Sequence, residues 1–112
     1  MLVFKIFRRP EWDALTEAGR TAGAPIDVQD GYIHLSTTEQ VTETAAKHFA
    51  GESDLVLVAV SADSLGPDLR WEPSRGGALF PHLYRDLTLD DVVWDKSLPL
   101  GATGHIFPEG VV

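Results

Sequence analysis

Asp30-Gly31-Tyr32-Ile33-His34-Leu35-Ser36-Thr37-Thr38-Glu39-Gln40 reads as a turn, a short strand carrying a histidine, and a capped helix. Asp-Gly is a strong turn dipeptide, because glycine accepts positive φ. Tyr32, Ile33, His34 and Leu35 are strand-like residues. Ser36 stands three residues before Glu39 and Thr37 three before Gln40, so a capping box is available in either register. His34 is thereby expected at a strand end, beside hydroxyls and the free N–H groups of a helix N-terminus, a geometry suited to an anionic ligand. The plainer reading of the same spacing is a helix start with a half-buried histidine.

Working outward, residues 2–7 form an expected first strand. Pro10 suits the first turn of a helix, with Glu11 and Asp13 near its positive end. Trp12, Leu15 and Ala18 would make its apolar stripe, and Gly19 would stop it. Residues 21–30 read as a polar loop or a short pair of strands. The helix over residues 38–50 carries Val41, Ala45 and Phe49 at i, i+4 spacing, which gives one buried face, and Gly51 ends it. Residues 54–60 form a continuous apolar run, as expected of a central strand buried on both sides. Residues 61–67 are a turn or a single helical turn.

Residues 68–72 read as another strand, closed by Pro73 and followed by a loop through Gly76 and Gly77. Residues 78–84 are strand-like, although Pro81 points to an edge or a bulge. Residues 87–91 are a turn, and 92–98 alternate like a final strand. The tail from about residue 100 is expected to be loosely ordered. The sum is one α+β domain over residues 1–112: a small mixed or antiparallel split sheet with two helices in the N-terminal half.

Composition narrows the function classes. Of the 112 residues, 44% are hydrophobic and 23% charged, as in an ordinary globular domain. No apolar run reaches the roughly 18 residues of a membrane span. The N-terminal residues lack the layout of a signal peptide, so the chain is expected to be cytoplasmic. There is no cysteine, which removes disulfides, thiolate metal sites and cysteine nucleophiles. A net charge of −8 disfavours long nucleic acids and anionic membranes. A local basic pocket could still hold one phosphate or a dinucleotide.

The chemistry-bearing side chains fall into three groups: His34 with Ser36, Thr37 and Gln40; Arg70, Glu72 and Arg75 around Trp71 and Gly76-Gly77; and His82 with Tyr84. Glu72, between Trp71 and Pro73, would be desolvated and its pKa raised, fit for orienting a hydroxyl or acting as a base. A surface ion pair to Arg70 or Arg75 is the plain alternative. Arg75 in its glycine-flanked loop could grip a phosphate. His82 and Tyr84 share strand parity and face one side. No two histidines show metal-site spacing, so no metal is expected.

Asp30-Gly31-Tyr32-Ile33-His34-Leu35-Ser36, Glu39-Gln40-Val41, Leu69-Arg70-Trp71-Glu72 and Phe80-Pro81-His82-Leu83-Tyr84 together resemble a small bacterial family, domain-of-unknown-function family 952. The resemblance runs from about Phe4 to Leu98. A common family version has glycine where this chain has Arg85, a charge expected near the cleft. The family is similar in proposed fold to the ADP-ribosyltransferase superfamily, which includes the RNA 2′-phosphotransferases: two small sheets splayed around a nicotinamide-nucleotide cleft. The resemblance implies nucleotide binding, NAD⁺ among the cofactors, and ADP-ribosyl transfer, with a non-catalytic binding module as the alternative. His34 matches the superfamily's early-strand position, which hydrogen-bonds a ribose. His34, Glu72 and His82 are the implied catalytic candidates. His34, Ser36, Thr37, Arg75 and Tyr84 are the implied nucleotide-binding ones. A glutathione-transferase label attached to some members finds no support, because the length leaves no room for both a thioredoxin-like and a helical domain.

Overall fold

The computed structural model describes residues 1–74 and 76–111. In chain order the elements are β1 (Leu2–Arg8), α1 (Arg9–Ala18), β2 (Arg20–Thr21), α2 (Pro25–Asp30), β3 (Ile33–His34), α3 (Thr38–His48), β4 (Leu55–Ser61) and α4 (Ala62–Leu65). A 3₁₀ turn leads to β5 (Leu69–Ser74), β6 (Ala78–Leu83) and β7 (Leu87–Thr88). After a second 3₁₀ turn come β8 (Val92–Leu98), β9 (Leu100–Gly101) and β10 (Gly104–His105). This is an α+β arrangement of antiparallel sheets with four α-helices among the described residues.

The first sheet has the order β1-β4-β8. Its middle strand is the apolar run 55–60, and the run is buried throughout because it feeds two cores. Val56, Val58 and Val60 pack with Val3, Phe7, Leu15 and Leu83 on one side. Leu55, Leu57 and Ala59 pack with Phe4, Ile6, Val41 and Ala45 on the other. Period-2 alternation therefore serves two apolar faces at once.

The second sheet has the order β3-β6-β5. Its register pairs even residues with even residues: His34 with His82, Arg70 with His82, Glu72 with Phe80. Even-numbered side chains of all three strands thus share one face. Ile33, Leu35 and Leu83 turn the other way into the first core. The two sheets touch where Phe4 and Ser36 exchange backbone hydrogen bonds of 2.7 and 2.9 Å.

Several expectations are corrected. Residues 25–30 are a helix, neither a loop nor a strand pair. Pro25 opens it, and Gly31, at φ 86°, ends it in the left-handed conformation. The expected turn at Asp30-Gly31 is the exit of this helix. Ala18 is exposed, so the apolar stripe of α1 reduces to Trp12 and Leu15. β5 continues through Pro73, which pairs with Leu79 on an edge strand where no ladder donor is needed.

Pro81 lies in the middle strand, not at an edge. Its carbonyl accepts from the Leu35 N–H at 3.0 Å, and its donor-less nitrogen faces the end of β3, where pairing stops. The tail forms the β9–β10 hairpin, and Val111 is buried in the second core. No helix among the described residues is long and apolar enough to cross a membrane.

Candidate functional site

The even face of the second sheet is a polar carpet. Tyr32 and His34 come from β3 and the residue before it, Arg70 and Glu72 from β5, and His82 and Tyr84 from β6 and the residue after it. The His34 and His82 rings lie 5.5 Å apart, edge to face. Tyr32 stacks across three neighbours, with ring centroids 4.7 Å from His34, 4.2 Å from His82 and 5.1 Å from Tyr84. The Arg70 guanidinium covers the outer Tyr84 ring at 4.5 Å.

Each histidine is anchored by a carboxylate. Glu72 Oε1 accepts from Tyr84 OH at 2.6 Å and lies 2.8 Å from His82 Nδ1. These hydrogen bonds, from Tyr84 first and His82 second, hold the Glu72 pKa below its usual value. The expected upward shift is therefore reversed. Trp71 and Pro73 face the other side of the strand and do not desolvate the carboxylate, which stays ionised. The same bond pushes the Tyr84 hydroxyl pKa upward.

His34 is anchored by a residue that sequence reasoning did not single out. Asp27, on the short helix α2, is 1% exposed. Its Oδ1 sits 2.6 Å from His34 Nδ1 and accepts the His34 backbone N–H at 3.1 Å. Its Oδ2 accepts from Lys5 Nζ at 2.7 Å and from the Ala24 N–H at 2.8 Å. Lys5, itself buried, also donates to the His34 carbonyl at 3.2 Å. The other ring nitrogen, Nε2, lies 3.0 Å from Asp30 Oδ2 at the solvent edge. The sequence did carry a signal for this helix: proline at its first position, an acidic residue at the third and glycine just past its end.

Burial alone would raise the Asp27 pKa. The bonds from His34 and the Lys5 charge overcome it and lower the value from 3.8 to about 2. A depressed folded-state pKa contributes stability above the unfolded value and loses it as pH falls through the folded one. We therefore expect about 2 kcal/mol of stability, present above roughly pH 4, to disappear as pH falls toward about 2. Denaturant titrations at pH 5 and pH 2 on wild type and Asp27→Asn check this, because the variant lacks that part of the pH dependence.

A cleft of about 580 Å³ opens beside this network. Residues of β1, α2, β3, β6 and α3 line it, among them Lys5, Asp27, His34, Ser36, Phe80 and His82. Two cations, Lys5 and Arg8, face two carboxylates, Asp27 and Asp30, and three histidines complete the titratable lining. Within a chain of net charge −8, this wall is locally balanced and repels an anion less than the rest of the surface does. A second, larger groove of about 710 Å³ runs between α3 and the β9–β10 hairpin. Small side chains dominate it, and its histidine, His105, already donates from Nε2 to the Glu52 carbonyl at 2.8 Å. The chemistry therefore concentrates in the first cleft.

The structure brings His34, Glu72, His82 and Tyr84 into one cluster, of which His34 and His82 line the cleft while Glu72 and Tyr84 stand behind them and do not. Ser36 lines the cleft and shares a 2.9 Å hydrogen bond with Thr44. Thr37 does not line it. It caps α3, its N–H donating to Gln40 Oε1 at 3.1 Å, so the later of the two capping registers forms. Arg75 lies outside the described residues. Arg85 does not line the cleft either, contrary to expectation: it grips Asp91 bidentately at 2.8 and 2.9 Å. Among the described residues no group of three or more acidic or histidine side chains is placed to hold a metal ion.

The fold is shared with solved structures of one bacterial protein. The crystal structure of protein CC0527 from Caulobacter crescentus is 53% identical, covering 94% of this chain and 92% of that one, with a TM-score of 0.90. The crystal structure of a double mutant of the same protein, 52% identical over the same shares, superposes with a TM-score of 0.90. The solution NMR structure of CC0527 is 54% identical, covers 93% and 90% of the two chains, and gives 0.83. No curated protein matches the chain. Residues 6–95 match the family described as "Protein of unknown function (DUF952)", and the chain belongs to that family.

Proposed function

We propose that the cleft binds a nucleotide, NAD⁺ foremost, in the manner of an ADP-ribosyltransferase. The observation that carries this reading is the pairing of His34 and His82 on adjacent strands, each held by a carboxylate at Nδ1, at the wall of a cleft where two small sheets meet. A ribose needs directed donors and acceptors, and an anchored imidazole beside carboxylates supplies both. Ser36 extends the polar wall, and Phe80 offers an apolar surface for a base. Tyr84 positions Glu72 and backs the aromatic cluster. A cleft of about 580 Å³ lies within the usual range of roughly 300–1,000 Å³ for small-molecule sites.

In the transfer reaction, the bond from the ribose C1′ to the nicotinamide nitrogen breaks. The bonding pair leaves with neutral nicotinamide, and an acceptor nucleophile bonds to C1′. Glu72, ionised in the free protein but not itself a lining residue of the cleft, would steady the oxocarbenium-like transition state and take up the acceptor's proton through His82, which it holds at Nδ1. Binding without turnover is the second reading. It is favoured by Glu72 Oε1 being engaged by both Tyr84 and His82, and by His82 being only 3% exposed.

A thermal-shift series tests the proposal with NAD⁺, ADP-ribose, ATP, glutathione and a sugar phosphate on wild type and His34→Ala. At about 100 times its dissociation constant, a true ligand stabilises by roughly 2.7 kcal/mol. NAD⁺ or ADP-ribose is expected to stabilise only the wild type. Equal shifts in both proteins, or a response to glutathione alone, would count against the nucleotide. Equal NAD⁺ turnover by wild type and Glu72→Gln would remove Glu72 from the catalytic role, and binding with no turnover by wild type would leave the binding module.

A further inference from the structure

We propose that Asp27 is a positioning residue that fixes a proton on His34 Nδ1 and thereby assigns Nε2 as the ring atom that meets a ligand hydroxyl in the cleft. The inference rests on the ligand reading above and assigns to α2 a role that its polar, loop-like sequence does not suggest. One oxygen, Oδ1, bonds both the ring and the backbone N–H of His34, so it fixes the imidazole's position and its rotation together. Oδ2 is occupied by Lys5 and Ala24, so Asp27 has no freedom to follow another partner. Lys5 completes the lock by reaching the His34 carbonyl, tying β1, α2 and β3 to one point.

Packing alone does not require a carboxylate here. Buried ion pairs commonly stabilise no better than apolar side chains of the same volume. The same device recurs one strand away, where Glu72 meets His82 Nδ1. A carboxylate that orients a histidine through Nδ1, leaving Nε2 for chemistry, is a general supporting arrangement. At Nε2 stands Asp30, with its side chain about a third exposed. A carboxylate there accepts from an Nε2–H, so Nε2 is free to accept from a ligand hydroxyl only once Asp30 turns to solvent, as its exposure allows.

The test is a two-bond ¹H–¹⁵N correlation spectrum of the His34 ring, read with titration of ADP-ribose into wild type and Asp27→Asn. The wild-type spectrum is expected to show a proton on Nδ1. In the variant, Lys5 and Ala24 both demand an acceptor, so the introduced amide turns its oxygen to them and its nitrogen to the His34 ring, and the His34 backbone N–H loses its acceptor. Nδ1 then accepts from the amide and is left bare, with the ring proton on Nε2. ADP-ribose binding weakens about 2- to 10-fold, the size of one lost neutral hydrogen bond. A bare Nδ1 in the wild type overturns the proposal even if the variant does not fold. So does a folded variant that binds ADP-ribose as tightly as wild type. A wild type with the expected ring proton that takes up no ADP-ribose overturns the nucleotide reading instead, which keeps the two failures apart.

Discussion

Asp27→Ala is expected to lower the unfolding free energy by about 3–5 kcal/mol, the usual cost of breaking a buried ion pair by removing one partner. Lys5, 7% exposed, would be left with an uncompensated charge. The Ala24 and His34 backbone N–H groups would lose their acceptor at the same time. An unsatisfied buried donor costs about 1–3 kcal/mol by itself. Denaturant unfolding monitored through Trp12, which is buried in the first core, measures the loss. Adding Lys5→Met should restore much of it, because the stranded charge goes with the lysine. A single variant within about 0.5 kcal/mol of wild type would mean that the cluster is solvated and does not hold α2 in place.

Gly23→Ala is the second large effect. A Cβ at that position would sit 2.3 Å from Asp27 Oδ2 and 2.6 Å from its Cβ, closer than real Cβ contacts come. Asp27 cannot give way, since both oxygens are bonded and the side chain is buried. The backbone at Gly23 also adopts φ +102°, outside the range of L side chains. Strain of about 1–3 kcal/mol and a similar overpacking cost are expected together. The clash falls on the carboxylate that orients His34, so ligand affinity should drop in whatever fraction remains folded. Gly76→Ala provides the control: its φ is also positive, at 74°, but nothing lies within 4 Å of the added carbon. Melting curves of the two variants separate backbone strain from displacement of Asp27.

The legible parts of this fold were those where one physical signal dominates. The apolar run 55–60 admits no solvated face, and β4 is indeed central. The spacing of Val41 and Ala45 marked the buried side of α3. Parity placed His82 and Tyr84 on one face, and register brought His34 and Glu72 to join them. What escaped was set by tertiary contact. Helix α2 has only six residues, too few to be marked by periodicity, and Asp27 ties its first turn to β1 and β3. The residues that form it look like a polar loop in the chain. Pro81 misled because the edge rule assumes a full neighbour on each side, whereas β3 is two residues long and ends before the missing donor matters. The Glu72 pKa falls rather than rises because sequence neighbours point away along a strand, and the partners that decide the shift come from β6 and its end.

We place the proposed nucleotide site in the cleft walled by His34 and His82 of the second sheet. Its most direct test is a ¹H–¹⁵N titration of the full chain with ADP-ribose, following backbone amides and histidine rings together. The expected result is saturable perturbation confined to the cleft: His34, Ser36, Phe80, His82 and the turn of α2 around Asp27, lost in His34→Ala. Perturbations confined to α3 and the β9–β10 hairpin, or none at millimolar ligand, would contradict it.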